Sequence, residues 1–222
     1  MLNKQKGNMY PWVTHTWNVI KGKCPHDCSY CYMKGYPQTE LHFDEKELKT
    51  DLGSGNVIFV GSSCDMWADE IPYIWIENVL NHCRNWKNKY LFQSKNPARF
   101  INYSFPDCIL GTTIESNRYY PEISKAPAPM ERKLALHYLP QGIPVMVSIE
   151  PIMDFDLDVL VGWIKEIKPE FVSIGADSKG HNLPEPSADK VTALINELKQ
   201  FTKIRSKNNL NRLLIPRSKD DK

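Results

Sequence analysis

The sequence predicts an α/β fold whose parallel strands form a barrel or partial barrel. Three observations predict it. Short apolar runs such as Val57–Val60 alternate with amphipathic stretches such as Ile71–Trp86, the order that yields a parallel sheet with right-handed crossovers. Six or seven such units recur at roughly 35-residue spacing, as a barrel requires. Polar residues follow each apolar run, at the strand ends where parallel α/β folds place their sites.

In chain order, Tyr10 to Val19 is rich in β-branched and aromatic residues and reads as the first strand. Asp44 caps a short helix that runs to about Leu52 and stops at Gly53-Ser54-Gly55. Val57-Ile58-Phe59-Val60 is a continuous apolar run, the pattern of a strand buried on both faces. Ile71 to Trp86 carries apolar residues at helical spacing, and Trp67, Tyr73 and Trp75 read as helix-core packing. Tyr90–Gln93 is the next strand, Pro97–Phe100 a short helix and Cys108–Thr113 another strand. Met130–Tyr138 is helical, with Pro129 at its start and Gly142 beyond its end. Val145–Ile149 is a strand, Leu157–Ile167 a helix, Phe171–Ile174 a strand and Ala188–Thr202 a long amphipathic helix. Leu213-Leu214-Ile215 reads as a last strand. The basic positions Lys199, Lys203, Arg205, Lys207, Arg212 and Arg217 read as a solvated face, with nucleic acid contact as the alternative.

Composition narrows the class. At 222 residues, 41% apolar and 24% charged, the chain buries a core and does not read as disordered. A net charge of +2 is less basic than a dedicated non-specific DNA binder carries. No linker or low-complexity tract divides it, so residues 1–216 read as one domain and 217–222 as a flexible tail. The start, Met1 to Asn8, lacks the apolar stretch of a signal peptide, and no apolar run approaches the ~18 residues that span a bilayer. The expected location is the cytoplasm, or that of a host cell if the chain is phage-encoded. Six cysteines in a reduced compartment point to metal or redox chemistry.

Three of those cysteines, Cys24, Cys28 and Cys31, fall within eight residues, with no fourth close behind. Structural zinc and ferredoxin clusters take four protein ligands. Three thiolates leave one iron of a four-iron cluster open to a small molecule. The alternative is a zinc site completed by His26, His15 or His42, which makes the chain a non-catalytic interaction module for nucleic acid or protein. After the later strands come Ser62-Ser63-Cys64-Asp65, Ser94-Lys95, Thr113 and Glu115, Glu150, and finally Asp177, Lys179 and His181.

Cys24-x-x-x-Cys28-x-x-Cys31, with Tyr30 before the third cysteine, resembles the signature of the radical S-adenosylmethionine superfamily. Flanking His15-Thr16-Trp17-Asn18, Cys31-Tyr32 and Ser148-Ile149-Glu150-Pro151 look like a phage-associated branch distantly similar to spore photoproduct lyase. The resemblance implies a partial (β/α)6 TIM-like barrel whose first strand precedes the cysteines. It implies that Cys24, Cys28 and Cys31 ligate a [4Fe-4S] cluster and that S-adenosyl-L-methionine binds its fourth iron. Tyr30 would lie beside the adenine, Lys95 would pair with the methionine carboxylate, and Thr113 or Glu115 would meet the ribose. The family's Gly-Gly-Glu stretch is replaced by Ser62-Ser63-Cys64-Asp65, where Ser63 and Asp65 are the substitutes for holding the amino group. Glu150 would face the cofactor. Cys64 reads as a core residue or as a hydrogen donor to a product radical. Asp177, Lys179 and His181 are the candidates for substrate recognition, with an ordinary polar loop as the alternative. The implied partners are a reductase or flavodoxin-type electron donor and a nucleic acid or nucleotide substrate.

Overall fold

The apolar runs become strands of one mostly parallel sheet in the computed structural model, which describes residues 1–214. The strands are β1 (Asn3–Lys4), β2 (His15–Trp17), β3 (Ile20–Lys21), β4 (His42–Phe43), β5 (Val57–Val60), β6 (Lys89–Ser94), β7 (Cys108–Thr113), β8 (Val145–Ile149), β9 (Phe171–Ile174) and β10 (Lys203–Ser206). The helices are α1 (Tyr73–Arg84), α2 (Pro129–His137), α3 (Leu157–Ile167), α4 (Ala188–Lys199) and the short α5 (Asn211–Leu214). Sheet order is β1-β2-β5-β6-β7-β8-β9-β10. Every pairing from β2 to β10 is parallel, and β1 adds antiparallel at one edge. The architecture is therefore a mixed α/β partial barrel with an open seam.

Alternation along the strands divides the core in two. Ile58, Val60, Tyr90, Phe92, Leu110, Val147, Val172 and Ile174 belong to the larger cluster, which includes the helices. Leu91, Ile109, Met146 and Phe171 line the concave side with Tyr10 and Val13. Gly111 makes room there, since a Cβ on it would stand 3.0 Å from Met146 Cγ. Tyr10 enters this lumen and donates its hydroxyl to Gln93 Oε1 (2.9 Å) or Ser148 Oγ (3.1 Å). The N-terminal segment also reaches the far edge. Trp12 meets Phe171 edge-on at 5.3 Å, and Lys207 Nζ donates to the Asn8 carbonyl at 2.6 Å. The seam between the edges is thus crossed by residues 8–12.

Six expectations are corrected. The first strand is three residues long, because Pro11 donates no backbone N–H and Tyr10–Val13 turns, with Val13 N on Tyr10 O at 3.0 Å. The helix expected from Asp44 to Leu52 is a 3-10 turn over Glu45–Lys49, although Asp44 caps it as foreseen. Pro97–Asn102 is likewise 3-10. The last strand is Lys203–Ser206, paired with β9, and Leu213 and Leu214 lie in α5 instead. Ile215, Arg217 and the tail lie outside the described residues. Trp67 packs in the loop after β5, not in a helix, with Phe100 edge-on at 4.9 Å. Nor do the basic positions form one solvated face. Lys207 turns inward to Glu150, and Arg212 binds the Asp177 carbonyl and Glu185. No helix is long and apolar enough to cross a membrane among the described residues.

Candidate functional site

The cysteine loop rises from the end of β2 on a two-stranded base. β3 and β4 pair antiparallel, Ile20 with Phe43 and Lys21 with His42, and Lys23 N reaches Thr39 O at 2.9 Å. Gly22 sits in that base at φ 98° with the Glu40 carbonyl where a Cβ would be. Within the loop three tight turns succeed one another. Asp27 N bonds Cys24 O (3.2 Å), Cys31 N bonds Cys28 O (3.1 Å), and Lys34 N bonds Cys31 O (3.0 Å). Residues 123–125 grip it from the side through Ser29 N to Ile123 O and Lys125 N to His26 O, both 2.8 Å. Cys28 Sγ lies 3.1 Å from Ser124 Oγ. All three cysteines are free thiols, Cys28 buried and the other two half-buried.

Asp65, after β5, anchors the loop to the barrel. Its Oδ2 accepts from Lys95 N (2.8 Å) and Ser94 Oγ (3.0 Å) and meets His26 Nε2 at 2.9 Å, and its Oδ1 accepts from Trp67 N (3.0 Å). Burial raises its carboxyl, but His26 together with the Lys95 and Trp67 backbone donors more than offsets that, so it stays below the ordinary range. Both oxygens of Asp65 are engaged by protein donors. Ser63 is held through its backbone N on Asn18 Oδ1 at 3.0 Å. The neighbouring Cys64 thiol lowers the Cys24 thiol to about 7, while Cys24 and burial push Cys64 up.

Tyr30, Lys95 and Glu115 meet beside the loop. Lys95 Nζ lies 2.5 Å from the Tyr30 hydroxyl and 5.1 Å from its ring centre. Both Lys95 and Tyr30 also contact Glu115 Oε1. The other oxygen, Oε2, receives Arg132 Nη1 at 2.8 Å from α2, both side chains being 3% exposed. Burial works against the Glu115 carboxylate, but Lys95 and Arg132 overcome it and hold the carboxyl at about 2. Burial, then Glu115, pushes the Tyr30 hydroxyl well up, so it stays protonated.

The remaining candidates lie apart from this network. Thr113 Oγ1 sits deeper in the lumen and accepts from Gln93 Nε2 at 3.0 Å. Glu150 Oε2 pairs with Lys207 at 2.7 Å, and its Oε1 is buried without a hydrogen-bond partner. Asp177 closes its own loop, taking the backbone N–H groups of Lys179 and His181 and the His181 ring at 2.6 Å. The Lys179 ammonium lies 3.6 Å from where a Cβ on Gly35 would stand, so this loop reaches the turn after Cys31. Beside it, Asn8, Asp177, Ser178, Gly180, Asn209 and Arg212 line an open cleft of ≈ 570 Å³. Of the groups sequence reasoning missed as functional, Arg132 and Lys207 look like ordinary surface cations in the sequence, and Ser124 carries no signal.

The donor set fits a cluster better than a single ion. Among the described residues, no three His, Cys, Asp or Glu side chains gather around one metal position, as a zinc site requires. His26 meets Asp65 through Nε2, His15 lies at the far end of β2 with its Nδ1 on Thr14, and His42 turns its Nδ1 to the Glu40 carbonyl. Three thiols on successive turns, with the Cys64 thiol set beside Cys24, fit a group that spreads its ligands over separate irons.

Comparison with solved structures gives the same fold. A spore photoproduct lyase mutant with dinucleoside spore photoproduct matches at TM-score 0.63 and 8% identity, over 91% of this chain and 78% of that one. Another, with bound AdoMet and dinucleoside spore photoproduct, matches at 0.62, also at 8% identity over 91% of this chain and 78% of that one. Streptococcus suis SuiB bound to its precursor peptide SuiA matches at 0.60 and 11% identity, over 86% of this chain and 48% of that one. These are radical S-adenosylmethionine enzymes, and the chain shares their partial-barrel fold. No family model and no curated protein matches the sequence.

Proposed function

We propose that this chain, built on the fold of the radical S-adenosylmethionine enzymes, is itself such an enzyme and acts on a nucleotide or nucleic acid. One observation carries the reading: Cys24, Cys28 and Cys31 lie on three successive turns beyond the first parallel strand and the β3 arm that follows it. These thiolates would hold a [4Fe-4S] cluster, which with S-adenosyl-L-methionine would supply one-electron cleavage of the sulfonium and hydrogen abstraction from the substrate.

The chain's residues supply position and charge. Asp65 ties the loop to β6 by holding His26 and the Lys95 backbone together. The Cys64 thiol beside Cys24 favours the Cys24 thiolate. The Lys95 ammonium is the cation for an anionic end of the cofactor, and Tyr30 is the flat wall beside it. Ser63, Thr113 and Glu150 offer hydroxyl and carboxylate oxygens at the ends of β5, β7 and β8. Glu150 Oε1 lacks a protein partner, which suits it to meet a bound donor. The cleft at Asp177, Ser178 and Arg212 is the entry for substrate, with Lys179 and His181 on the adjoining loop. The likeness to a lyase solved with a dinucleoside favours a nucleotide there. An external flavodoxin-type reductant completes the reaction.

Anaerobic reconstitution tests the reading. The expected result is a brown, oxygen-sensitive protein that cleaves S-adenosylmethionine to 5′-deoxyadenosine with dithionite, and a Cys28→Ala variant that does neither. A colourless protein holding one stoichiometric zinc overturns it. Incubation with UV-irradiated DNA, tRNA and nucleotides, read by product mass, decides the substrate class.

A further inference from the structure

Two cations converge on one buried carboxylate at the centre of the site. Glu115 and Arg132 are each 3% exposed, and Lys95 is 14% exposed. Arg132 is fixed three ways: to Glu115 Oε2 at 2.8 Å, to the Thr113 carbonyl at 3.0 Å and, through Nε, to the Pro127 carbonyl at 2.6 Å. Lys95 is different. Its backbone is anchored by Asp65, but its ammonium holds only Glu115 and the Tyr30 hydroxyl at the end of a flexible chain. A buried carboxylate stripped of every partner is strongly destabilised. With Arg132 on Oε2, Glu115 keeps a counter-ion when Lys95 leaves Oε1. The trio carries a surplus positive charge, which favours the arrival of an anion.

Resting on the proposed function, we infer that Arg132 is a positioning residue that acts as the permanent counter-ion of Glu115. Its presence leaves Lys95 free to exchange from Glu115 to the carboxylate of the incoming cofactor. Arg132 touches no cofactor itself. Glu115 then serves to park Lys95 and Tyr30, in place of the ribose contact that the resemblance implied.

The test compares equilibrium binding of S-adenosylmethionine with binding of decarboxylated S-adenosylmethionine, by anaerobic calorimetry on the reconstituted protein. The readout is the ratio of the two dissociation constants, not turnover. The wild type is expected to prefer the carboxylate form by roughly ten- to a hundredfold, the worth of a charge-assisted hydrogen bond. Lys95→Met should lower the preference by that factor, leaving only what the open iron contributes by holding the carboxylate. Arg132→Gln should shrink it severalfold although Lys95 remains, because Lys95 is then the only counter-ion of Glu115 and stays on it. Arg132→Gln combined with Glu115→Gln should restore the preference, since no buried carboxylate holds Lys95. This double variant removes the buried carboxylate together with its permanent counter-ion, so it gives a result even where Arg132→Gln alone misfolds. An Arg132→Gln protein with the full wild-type ratio overturns the inference, as does a folded double variant without preference. A wild type that forms no cluster and binds neither compound overturns the functional reading instead.

Discussion

Asp65 shows how much one side chain organises here. Its two oxygens take donors from the cysteine loop, from the end of β6 and from its own turn. Asp65→Asn puts an NH2 group where an acceptor is required. The expected loss is about 1–3 kcal/mol in urea unfolding of the cluster-free protein, together with poorer cluster retention. An unchanged unfolding midpoint would remove Asp65 from this role. Glu115 makes a second prediction at this scale. Its carboxyl lies at about 2 in the folded chain against an ordinary 4.5. Its stabilisation is therefore complete above about pH 4.5 and fades as pH falls toward 2. Glu115→Gln should be less stable at neutral pH and should show a flatter acid limb between those values, followed by circular dichroism.

Elements place these residues through features that side-chain chemistry does not reveal. The β3–β4 ribbon supports the cysteine loop, and Gly22 lets its two arms meet. Gly22→Ala asks for a positive φ and puts a methyl group against the Glu40 carbonyl. The change should cost at least about 1 kcal/mol and lower the iron bound per chain on reconstitution. Normal stability and full loading would show that the ribbon is dispensable. The N-terminal segment is the second such element, and Tyr10 is its anchor. Tyr10→Phe leaves Gln93 and Ser148 short of a partner in the lumen, with an expected loss of about 1–2 kcal/mol on chemical denaturation. The polar strand β10 also belongs at this level. Lys203–Ser206 has one apolar residue, Ile204, because an edge strand needs backbone pairing on one side and little burial. Periodicity therefore missed it and fell on the apolar pair Leu213-Leu214.

For the whole molecule, the open sheet is the governing fact. Its two edges, β1 and β10, lie at opposite ends of the order. Residues 8–12 cross between them while Tyr10 and Val13 fill the lumen. Removing residues 1–13 should expose Leu91, Ile109, Met146 and Phe171. Binding of a hydrophobic dye should rise and the unfolding transition should broaden. A truncated chain that melts as sharply as the full one would show that the lumen closes without this segment.

By itself the sequence determined what depends on neighbours along the chain. The cysteine spacing, the strands β5 to β9 and the helices α1 to α4 were legible because ligand spacing and hydrophobic period are local. So was the rule that polar residues after each strand share one end of the barrel. Only the tertiary structure decided how those residues divide their work. Asp65 turned out to be an anchor, Asp177 closes its own loop, and Arg132 sits beneath Glu115 from a helix whose Glu131-Arg132-Lys133 looks solvated in the sequence. Which cation a buried carboxylate takes depends on strengthened charge interactions between groups far apart in sequence, and that pairing exists only once the barrel has formed.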